Sequence, residues 1–444
     1  MCTKELELSI EKKYNIPNNI VKKYINDKIL VISVDTANWI VLDNEKQENI
    51  FEKLKHKYVY EVLEDIEKEN ISEDDFIFVL TQLEARKFES IEVNIPQQNG
   101  ICIYLTDECN LRCKHCYMYS GYKNDNEMTT NEIIYILDNF KKHGGEVVTF
   151  TGGEVTLRND LETILEFSKK FGLKNTVLSN GVSWNDNLIE RTYKYIDEIQ
   201  ISMDGYDEES NSKVRGKGTF EKVVQNIDKL FNKGLRLSVA VTPLLEDLDQ
   251  NKESYIKFGK QLIDKYSSGE FHLKYNYELL EGRDIKVDKE SNKIYSKIMH
   301  EIVESCYPDS ENIEFVINHK DNTIFNNCGY GGLTIGANGD VYFCNRIHEL
   351  TSCGNIRDKS FNEFIKLSKR AKEISDINNL YPCSSCDLKY ICGGGCRIPN
   401  FPDLINIESL DNKNLDICRI IPCTQYNKDR YYKLMIETNE EFFC

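Results

Sequence analysis

Apolar runs of strand length alternate with helix-like segments through the middle of the chain. Between about residues 100 and 284, six short apolar runs are separated by segments with a helical period, the first of them at residues 130–143. The predicted strands are residues 101–106, 146–150, 176–180, 198–203, 235–242 and 270–277. Six such repeats predict an α/β fold with a parallel sheet, curled or open. In that architecture the chemistry lies at the carboxyl ends of the strands.

The first 97 residues predict a separate, small α+β unit. Residues 28–43 alternate apolar and polar positions in two short runs, which is typical of a hairpin. Helix-like segments follow at residues 45–56, 58–67 and 72–87, and Ser72 is a candidate N-cap for the last one. Because no cysteine cluster lies in this unit, we expect it to bind a partner.

The third region, from about residue 318 onward, holds most of the sixteen cysteines. Glycine-rich turns accompany them, a helix-like tail spans residues 427–438, and regular patterns are sparse between residues 381 and 423. Such a segment has too little apolar periodicity to build a core alone, so we expect bound metal to stabilise it. The predicted domains are therefore residues 1–97, 98–315 and 316–444.

Composition and charge narrow the class of protein. The 444 residues carry a net charge of −17, and nucleic-acid-binding proteins usually have a basic surplus, so we expect no nucleic-acid partner. No apolar run reaches the ~18–20 residues that span a bilayer, and the first residues lack the apolar core of a signal peptide. We therefore expect a cytoplasmic protein without membrane contact. In a reducing cytoplasm, clustered thiols indicate metals or catalysis rather than disulfides.

Three cysteines lie in one short stretch directly after the first predicted strand. The segment TDECNLRCKHCYMYS, residues 106–120, contains Cys109, Cys113 and Cys116. Four thiolates saturate a zinc ion or an iron–sulfur cube, whereas three leave one position open for a ligand. Zinc sites more often pair thiols as Cys-x-x-Cys twice, so a structural zinc ion or accidental clustering is the weaker alternative here.

This stretch resembles the Cys-x-x-x-Cys-x-aromatic-Cys loop of the radical S-adenosylmethionine (SAM) enzymes. The resemblance implies a partial (β/α)₆ barrel and a 4Fe–4S cluster whose unique iron chelates the amino and carboxylate groups of SAM. One electron from the cluster then cleaves SAM to methionine and a 5′-deoxyadenosyl radical, which abstracts a hydrogen atom from the substrate. It also implies catalytic and metal-binding roles for Cys109, Cys113 and Cys116.

Further short motifs of the same family follow the later strands. The segment TGGE resembles the motif that binds the methionine amino group, and SNG follows the third predicted strand. A lone Gly-Gly-Glu is more often a turn, but these motifs occur in order, each at a strand end. The residues implied to bind SAM are Gly152, Gly153 and Glu154 at the amino group; Ser179 and Asn180; Ser202 and Asp204 at the ribose; Arg215 at the carboxylate; and His115 and Tyr117 near the adenine.

The spacing of the later cysteines resembles the SPASM domain, which carries two auxiliary 4Fe–4S clusters. Ten residues separate Cys328 from Gly339, four more precede Cys344, and the pattern C-x₂-C-x₅-C-x₃-C begins at Cys383. A zinc ribbon with stray thiols is the alternative. By this resemblance, the first auxiliary cluster is held by Cys328, Cys344 and Cys396, and the second by Cys383, Cys386, Cys392 and, in preference to Cys418, Cys423.

The resemblance leaves the first auxiliary cluster without an obvious fourth ligand. Cys306 and Cys353 are candidates, and an iron left open for a substrate thiol is the other possibility. Cys2, Cys102 and Cys444 are expected to be ordinary buried or terminal residues.

The amino-terminal unit resembles the PqqD-like, winged-helix-like element that binds leader peptides of ribosomally made natural products. Residues 38–54 are the most similar part, and such elements take the leader as an added strand on a sheet edge. Together the resemblances imply a peptide maturase that uses SAM and three 4Fe–4S clusters to form thioether crosslinks in a precursor peptide. An electron donor such as flavodoxin or ferredoxin would be its second partner.

Other functions stay open at this stage. A sulfatase-maturating (formylglycine-forming) enzyme shares the barrel and the SPASM domain, but it carries an aspartate as base directly after the second SPASM cysteine, where this chain has Asn345. Carbon–carbon crosslinking or epimerisation of a peptide is a further alternative. A non-catalytic iron–sulfur scaffold would leave the SAM-binding motifs without purpose.

Overall fold

The computed structural model of the protein describes residues 8–96, 99–400, 418–419 and 423–443. Cys2 and Cys444, which the sequence indicates to be ordinary residues, lie outside the described residues, as does the side chain of Cys418. In the described part of the chain, no helix is long and apolar enough to cross a membrane.

The amino-terminal unit is a three-stranded antiparallel sheet followed by three helices. The strands are β1 (Ile20–Ile25), β2 (Lys28–Ser33) and β3 (Asn38–Leu42), and the helices are α1 (Glu45–Leu54), α2 (Val59–Lys68) and α3 (Glu73–Ala85). The predicted hairpin and all three helices are confirmed, and Ser72 caps α3 by accepting a hydrogen bond from the Asp74 amide at 3.1 Å. The sequence analysis missed β1, because the adjacent Lys22 and Lys23 interrupt its alternation of apolar and polar positions.

The middle of the chain forms the predicted α/β partial barrel. Its six strands are β4 (Gly100–Tyr104), β5 (Val147–Thr151), β6 (Lys174–Ser179), β7 (Glu198–Ser202), β8 (Arg236–Val241) and β9 (Phe271–Tyr275). Each strand pairs in parallel with the next one in sequence, and all six predicted strands are confirmed within a few residues. The surrounding helices are α4 (Thr130–Lys142), α5 (Leu161–Lys170), α6 (Asp186–Thr192), α7 (Glu208–Arg215), α8 (Phe220–Phe231), α9 (Leu245–Lys265), α10 (Lys289–Cys306) and α11 (Ser310–Asn318).

Two strands of the cysteine-rich segment extend the barrel sheet. β10 (Thr334–Ile335) pairs in parallel with β4, and β11 (Val341–Tyr342) pairs antiparallel with β10, so that the sheet has the order β11-β10-β4-β5-β6-β7-β8-β9. The remaining elements are α12 (Phe361–Ile374), β12 (Leu380–Tyr381), α13 (Lys389–Cys392), α14 (Arg397–Asn400), β13 (Cys418–Arg419) and α15 (Gln425–Glu437). The extension places the cysteine-rich segment beside the strand that precedes the three-cysteine loop.

The sheet of the amino-terminal unit is buried on both faces. Ile29, Val31, Ile40 and Leu42 pack on its own helices. Leu30, Ile32, Trp39 and Val41 face the other way, onto residues of α11, α13 and α15. The first unit is therefore packed against α11 and the cysteine-rich segment.

Candidate active site

The three-cysteine loop closes on itself directly after β4. The Cys109 amide donates to the Gly121 carbonyl at 3.1 Å, the Gly121 amide donates to the Asp107 carbonyl at 2.9 Å, and the Cys116 amide donates to the Cys113 carbonyl at 3.2 Å. Cys113 is buried and the other two cysteines are half-buried. The loop therefore presents three thiols from one compact turn at the carboxyl end of a barrel strand.

Two more distant segments hold this loop in place. The Lys114 amide donates to the Val214 carbonyl in α7 at 3.2 Å, and the Lys114 carbonyl accepts from the Asp284 amide at 2.9 Å. The Arg283 amide donates to the Cys116 carbonyl at 3.3 Å. Because these bonds involve the backbone of the loop, they leave its thiols available.

The thiols suit a metal cluster better than a free nucleophile. Burial raises the pKa of Cys113 to about 11, although the charge of Arg215 opposes the shift. A thiol of that kind is deprotonated at neutral pH only when a metal ion replaces its proton. The donor set, three thiols from one loop, therefore fits the three-cysteine cluster that the sequence implies.

The Gly-Gly-Glu segment lies against the start of the same loop. The Gly153 amide donates to the Thr106 carbonyl at 2.7 Å, and the Glu154 amide donates to the Glu108 carbonyl at 2.8 Å. A Cβ atom on Gly153 would come within 2.2 Å of the Glu108 oxygen, and one on Gly152, whose φ is +144°, within 2.4 Å of the Thr106 oxygen. Only glycine permits this close approach of two backbones.

Glu154 is a buried carboxylate held by neutral donors. Its Oε1 accepts from the hydroxyls of Ser179 and Thr156, both at 2.7 Å, and its Oε2 accepts from the Asn180 amide at 2.7 Å. The Asn180 side-chain amide lies 3.8 Å from the Cys109 sulfur. The structure thus brings Glu154, Ser179 and Asn180 together beside the thiol loop, in an arrangement that suits a positively charged amino group.

Asp204 is fully buried between two basic side chains. Its Oδ2 lies 2.6 Å from His115 Nε2 and 2.6 Å from Arg215 Nε, and its Oδ1 accepts from the Thr242 amide at 2.9 Å. Burial alone would raise its pKa, but the charges of Arg215 and His115 outweigh burial and lower the pKa to about 2. The sequence analysis places Asp204 at the ribose and Arg215 at the carboxylate of SAM, and it does not anticipate that the two side chains pair. Ser202 ends β7, two residues earlier.

Tyr117 joins the thiol loop to the cysteine-rich segment. Its ring centroid lies 4.5 Å from that of His348, and the two rings are tilted by 37°. Beside them is a cavity of about 430 Å³. The cavity is lined by Tyr117, Met118, Tyr119, Glu281, Tyr342, Ile347 and His348. It lies between the three-cysteine loop and the β11 segment that leads to Cys344, a site that the sequence analysis did not identify.

The later thiols form two groups. The Cys396 thiol is hydrogen-bonded to Cys328, which lowers the pKa of Cys328 and raises that of Cys396. Burial, and with it the charge of Cys328, raises the pKa of Cys344. In the second group, burial and the charges of Cys392, Cys386 and Cys423 raise the pKa of Cys383 to about 12. Among the residues described, no three Cys, His, Asp or Glu side chains are placed to hold a single metal ion.

Neither candidate for a fourth ligand of the first auxiliary cluster has an unengaged thiol. Cys306 ends α10 in the barrel core, with its sulfur 3.6 Å from the Ile256 carbonyl. Cys353 is buried, with its sulfur 3.0 Å from the Val341 carbonyl. Cys102, on β4, lies near Cys344 of the first auxiliary group. Burial and the charge of Cys344 raise the pKa of Cys102 to about 12. The pairing of β10 with β4 places Cys102 beside the cysteine-rich segment, and no local pattern predicts that pairing.

Two family models match the chain. The radical SAM superfamily model matches residues 103–258, and the SPASM model, an iron–sulfur cluster-binding domain, matches residues 327–387. The chain is therefore a radical SAM enzyme with a SPASM domain. Its cofactors are SAM and 4Fe–4S clusters.

Curated relatives support the same class, and one solved structure shares the fold. The chain is 28% identical to the mycofactocin maturase MftC of Mycolicibacterium smegmatis over 315 residues, which are 67% of this chain and 77% of the relative. It is 23% identical to an AdoMet-dependent heme synthase of Oleidesulfovibrio alaskensis over 344 residues, 70% and 86% of the two chains. The structure of anSMEcpe with bound AdoMet and Cp18Cys peptide shares the fold, with a TM-score of 0.53, 18% identity, and 77% and 98% coverage.

Proposed function

We propose that this enzyme matures a ribosomally made precursor peptide by linking cysteine sulfur to carbon in thioether bonds. The observation that carries the proposal is the cavity between the three-cysteine loop and the β11 segment. A peptide side chain in this cavity would lie beside the contacting rings of Tyr117, in the three-cysteine loop, and His348, in the cysteine-rich segment. The similarity to a maturase, MftC, supports a maturation reaction.

Three 4Fe–4S clusters are assigned to the thiol groups. Cys109, Cys113 and Cys116 would hold the cluster that binds SAM. Two auxiliary clusters would be held by Cys328, Cys344 and Cys396, and by Cys383, Cys386, Cys392 and Cys423. Since the thiols of Cys306 and Cys353 already contact backbone carbonyls, the first auxiliary cluster is proposed to keep an iron open for the substrate thiol.

The residues around the loop are proposed to hold SAM. Glu154, oriented by Ser179 and Asn180, would bind the amino group, and Gly152 and Gly153 would let the backbone approach. Ser202, His115 and Tyr117 would line the nucleoside, while Arg215, positioned by Asp204, would neutralise the carboxylate. When bound, SAM and the clusters would supply a hydrogen-atom acceptor and an electron acceptor.

The net reaction is an oxidation of the peptide. Each crosslink replaces one C–H bond and one S–H bond by one C–S bond, so two hydrogens leave the peptide for every bond formed. In the proposal, one leaves as a hydrogen atom that ends in 5′-deoxyadenosine, and the other leaves as a proton and an electron. The first electron that cleaves SAM would come from a flavodoxin or ferredoxin in the cytoplasm.

The amino-terminal unit is proposed to bind the leader of the precursor, as PqqD-like elements do. Its order of three strands followed by three helices supports this assignment, and it packs against the cysteine-rich segment through Trp39, whose Nε1 donates to the Met435 carbonyl at 2.8 Å. The leader would then be held on the same rigid surface as the auxiliary-cluster ligands.

A formylglycine-forming reaction is the less favoured function. It needs a base after Cys344, and Asn345 cannot accept a proton at neutral pH. The Asn345 side-chain oxygen lies 3.5 Å from the Cys344 sulfur, and its backbone carbonyl accepts from the Tyr104 hydroxyl at 2.9 Å. Carbon–carbon crosslinking of a peptide uses the same cavity and differs from thioether formation only in the product.

The proposal is tested by co-expression without oxygen with a short cysteine-containing peptide encoded beside this protein. Intact mass should fall by two hydrogens per bond, and the same number of thiols should resist alkylation. The matched control replaces Cys109, Cys113 and Cys116 by alanine and should leave the peptide unchanged. A loss of two hydrogens with every thiol still open to alkylation would show that the product contains a carbon–carbon bond and no thioether.

A further inference from the structure

His348 forms part of the wall of the cavity beside Tyr117. It lies in a short 3₁₀ turn, Ile347–Glu349, four residues after Cys344. Its side chain is 21% exposed, and its ring contacts that of Tyr117. Among the described residues, none forms a hydrogen bond with His348 Nδ1, whereas the Glu349 carboxylate lies 3.3 Å from Nε2. One ring nitrogen of His348 is therefore available to a molecule in the cavity.

The surroundings of His348 favour a neutral imidazole near pH 7. Burial lowers the pKa of His348 below the ordinary 6.5, the charge of Glu349 raises it, and the charge of Arg346 lowers it. Glu349 does little to hold a proton on the ring, because it is itself paired with Arg346 Nε at 2.5 Å. Arg346 also binds Glu278 at 3.0 Å. A neutral imidazole can accept a proton from a bound group.

The other polar side chains of the cavity are three phenols and one carboxylate. Burial raises the pKa of Tyr117 and that of Tyr342, so both stay protonated near neutral pH. Tyr119 donates its hydroxyl to a backbone carbonyl at 3.3 Å. Glu281 is exposed, so water solvates its carboxylate. Of these side chains, His348 is the one best suited to take a proton inside the cavity.

Formation of a C–S bond needs a group that takes a proton. A free cysteine thiol has a pKa of about 8.5, so only a few per cent of it is thiolate at pH 7. Asn345, directly after Cys344, cannot accept the proton because its side chain is an uncharged amide. His348 follows in the next turn of the same segment, where a thiol that enters the cavity would contact its ring.

We propose that His348 is the general base that takes the proton of the substrate thiol. The S–H bond breaks, its electron pair stays on sulfur, and the proton binds His348 Nδ1, from which it passes to water. The thiolate then forms the C–S bond with the peptide carbon radical, and the electron released in that step goes to the electron acceptor of the proposed reaction. This inference rests on the proposed function, since the proton comes from a cysteine of the precursor peptide.

One variant separates this role from a structural one. The probe is the cysteine-containing peptide encoded beside this protein, treated with the cluster-loaded enzyme at pH 7 without oxygen. His348→Gln should form the thioether at least about tenfold more slowly. It should still release 5′-deoxyadenosine at nearly the unchanged rate, because hydrogen abstraction does not need the thiol proton. A merely structural defect would lower both rates.

Two further variants serve as comparisons. His300→Gln, at an exposed histidine of α10, should keep both rates. Every variant should keep the iron content and the thermal midpoint of the unchanged enzyme, which shows that it folds. Glu281→Gln tests the competing proton acceptor. Loss of the thioether in Glu281→Gln, with His348→Gln fully active, would overturn the inference.

The pH dependence tests the same group in the unchanged enzyme. Because the neutral form of His348 is required and its pKa lies below 6.5, thioether formation should be steady above about pH 6.5. Well below the pKa of His348 it should fall about tenfold per pH unit. His348→Gln should instead gain about tenfold per unit between about pH 6.5 and 8.5, since it depends on thiolate already present in solution.

The outcomes distinguish this inference from the proposed function. A folded His348→Gln enzyme with an unchanged thioether rate and pH profile would overturn the inference. If that variant loses its iron, the unchanged enzyme decides, because a rate that stays constant well below pH 6.5 with the iron retained would also overturn it. An unchanged enzyme that leaves every thiol of the peptide open to alkylation would instead overturn the proposed function, and this result appears before any substitution is made.

Discussion

Two buried carboxylates, Glu154 and Asp204, have opposite surroundings. Within the described residues, Glu154 accepts hydrogen bonds from neutral donors only, whereas Asp204 lies between Arg215 and His115. A buried carboxylate held by neutral donors can still attract a cation, while one already neutralised mainly positions its partners. We therefore assign the ligand-binding charge to Glu154 and a positioning role to Asp204.

Replacement of Glu154 by Gln tests its charge at nearly constant shape. The variant should bind SAM at least about a hundredfold more weakly, because a charge-assisted bond to the amino group is lost while most neighbouring hydrogen bonds remain. Equilibrium dialysis of the anaerobic enzyme measures the affinity, and iron content should be unchanged. Thr156→Val, which removes one donor to Glu154 and keeps the carboxylate, is the control. Unchanged affinity in Glu154→Gln would remove Glu154 from the SAM site.

Replacement of Asp204 by Asn should lower the free energy of unfolding by about 3–5 kcal/mol at pH 7, because Arg215 stays buried without its partner. Urea unfolding of the metal-free chain measures the change. The pKa of Asp204 in the folded chain is about 2, below the ordinary 3.8. The carboxylate therefore stabilises the fold above about pH 4 and loses this effect as the pH falls toward 2. The difference in the free energy of unfolding between the Asp204→Asn variant and the unchanged chain should therefore shrink over that pH range. Asp138→Asn, at an exposed ion pair with Lys142, should cost under about 1 kcal/mol; an equal cost would contradict the account of Asp204.

At the scale of elements, the packing of β3 on α15 connects the two ends of the chain. Trp39 is fully buried there, with Phe442 at 5.0 Å and Phe315 at 5.6 Å between ring centroids, and its indole nitrogen donates to Met435. The Arg86 guanidinium lies 4.2 Å from the Trp39 ring. This contact fixes the amino-terminal sheet on the cysteine-rich segment.

Trp39→Ala should therefore loosen the amino-terminal unit. The cavity and the lost hydrogen bond should cost about 3–5 kcal/mol, and trypsin should release the first unit at a rate at least about tenfold above that of the unchanged chain. Tyr58→Ala, at a half-exposed ring of the same unit, is the control and should change little. If Trp39→Ala leaves the digestion pattern unchanged, this packing does not hold the unit in place.

The elements also show what the sequence can and cannot predict. The barrel strands were predictable because strands of a parallel sheet covered by helices are continuous apolar runs. β10 and β11 were not predicted, since two-residue strands carry no period and gain their pairing from β4. In the site, spacing identified the three-cysteine loop and the Gly-Gly-Glu segment. The pairing of Asp204 with Arg215 and the nearness of Cys102 to Cys344 depend on contacts between distant elements, which no local pattern encodes.

At the scale of the whole molecule, the thiols assigned to clusters form three groups. The three-cysteine loop, the Cys328 group and the Cys383 group are joined by the extended barrel sheet and by the packing of β1 and β3 on the cysteine-rich segment. A substrate in the cavity beside Tyr117 would contact the three-cysteine loop and the cysteine-rich segment at once.

The proposal of three 4Fe–4S clusters predicts an iron count. The reconstituted enzyme should bind about twelve irons per chain, and the variant with Cys109, Cys113 and Cys116 replaced by alanine about eight. Iron analysis together with the absorbance of the clusters measures both. Cys306→Ala should keep about twelve, since this thiol lies in the barrel core. An enzyme that holds about four irons after full reconstitution would contradict the auxiliary clusters.

The central claim is that a radical formed at the three-cysteine loop takes hydrogen from a peptide. The most direct measurement is the mass of the 5′-deoxyadenosine released when the enzyme acts on a precursor peptide whose carbon-bound hydrogens are deuterium. The account predicts that the nucleoside gains one deuterium in step with peptide modification, and that the alanine variant of the loop releases none. Peptide modified in full while the 5′-deoxyadenosine stays free of deuterium would contradict it.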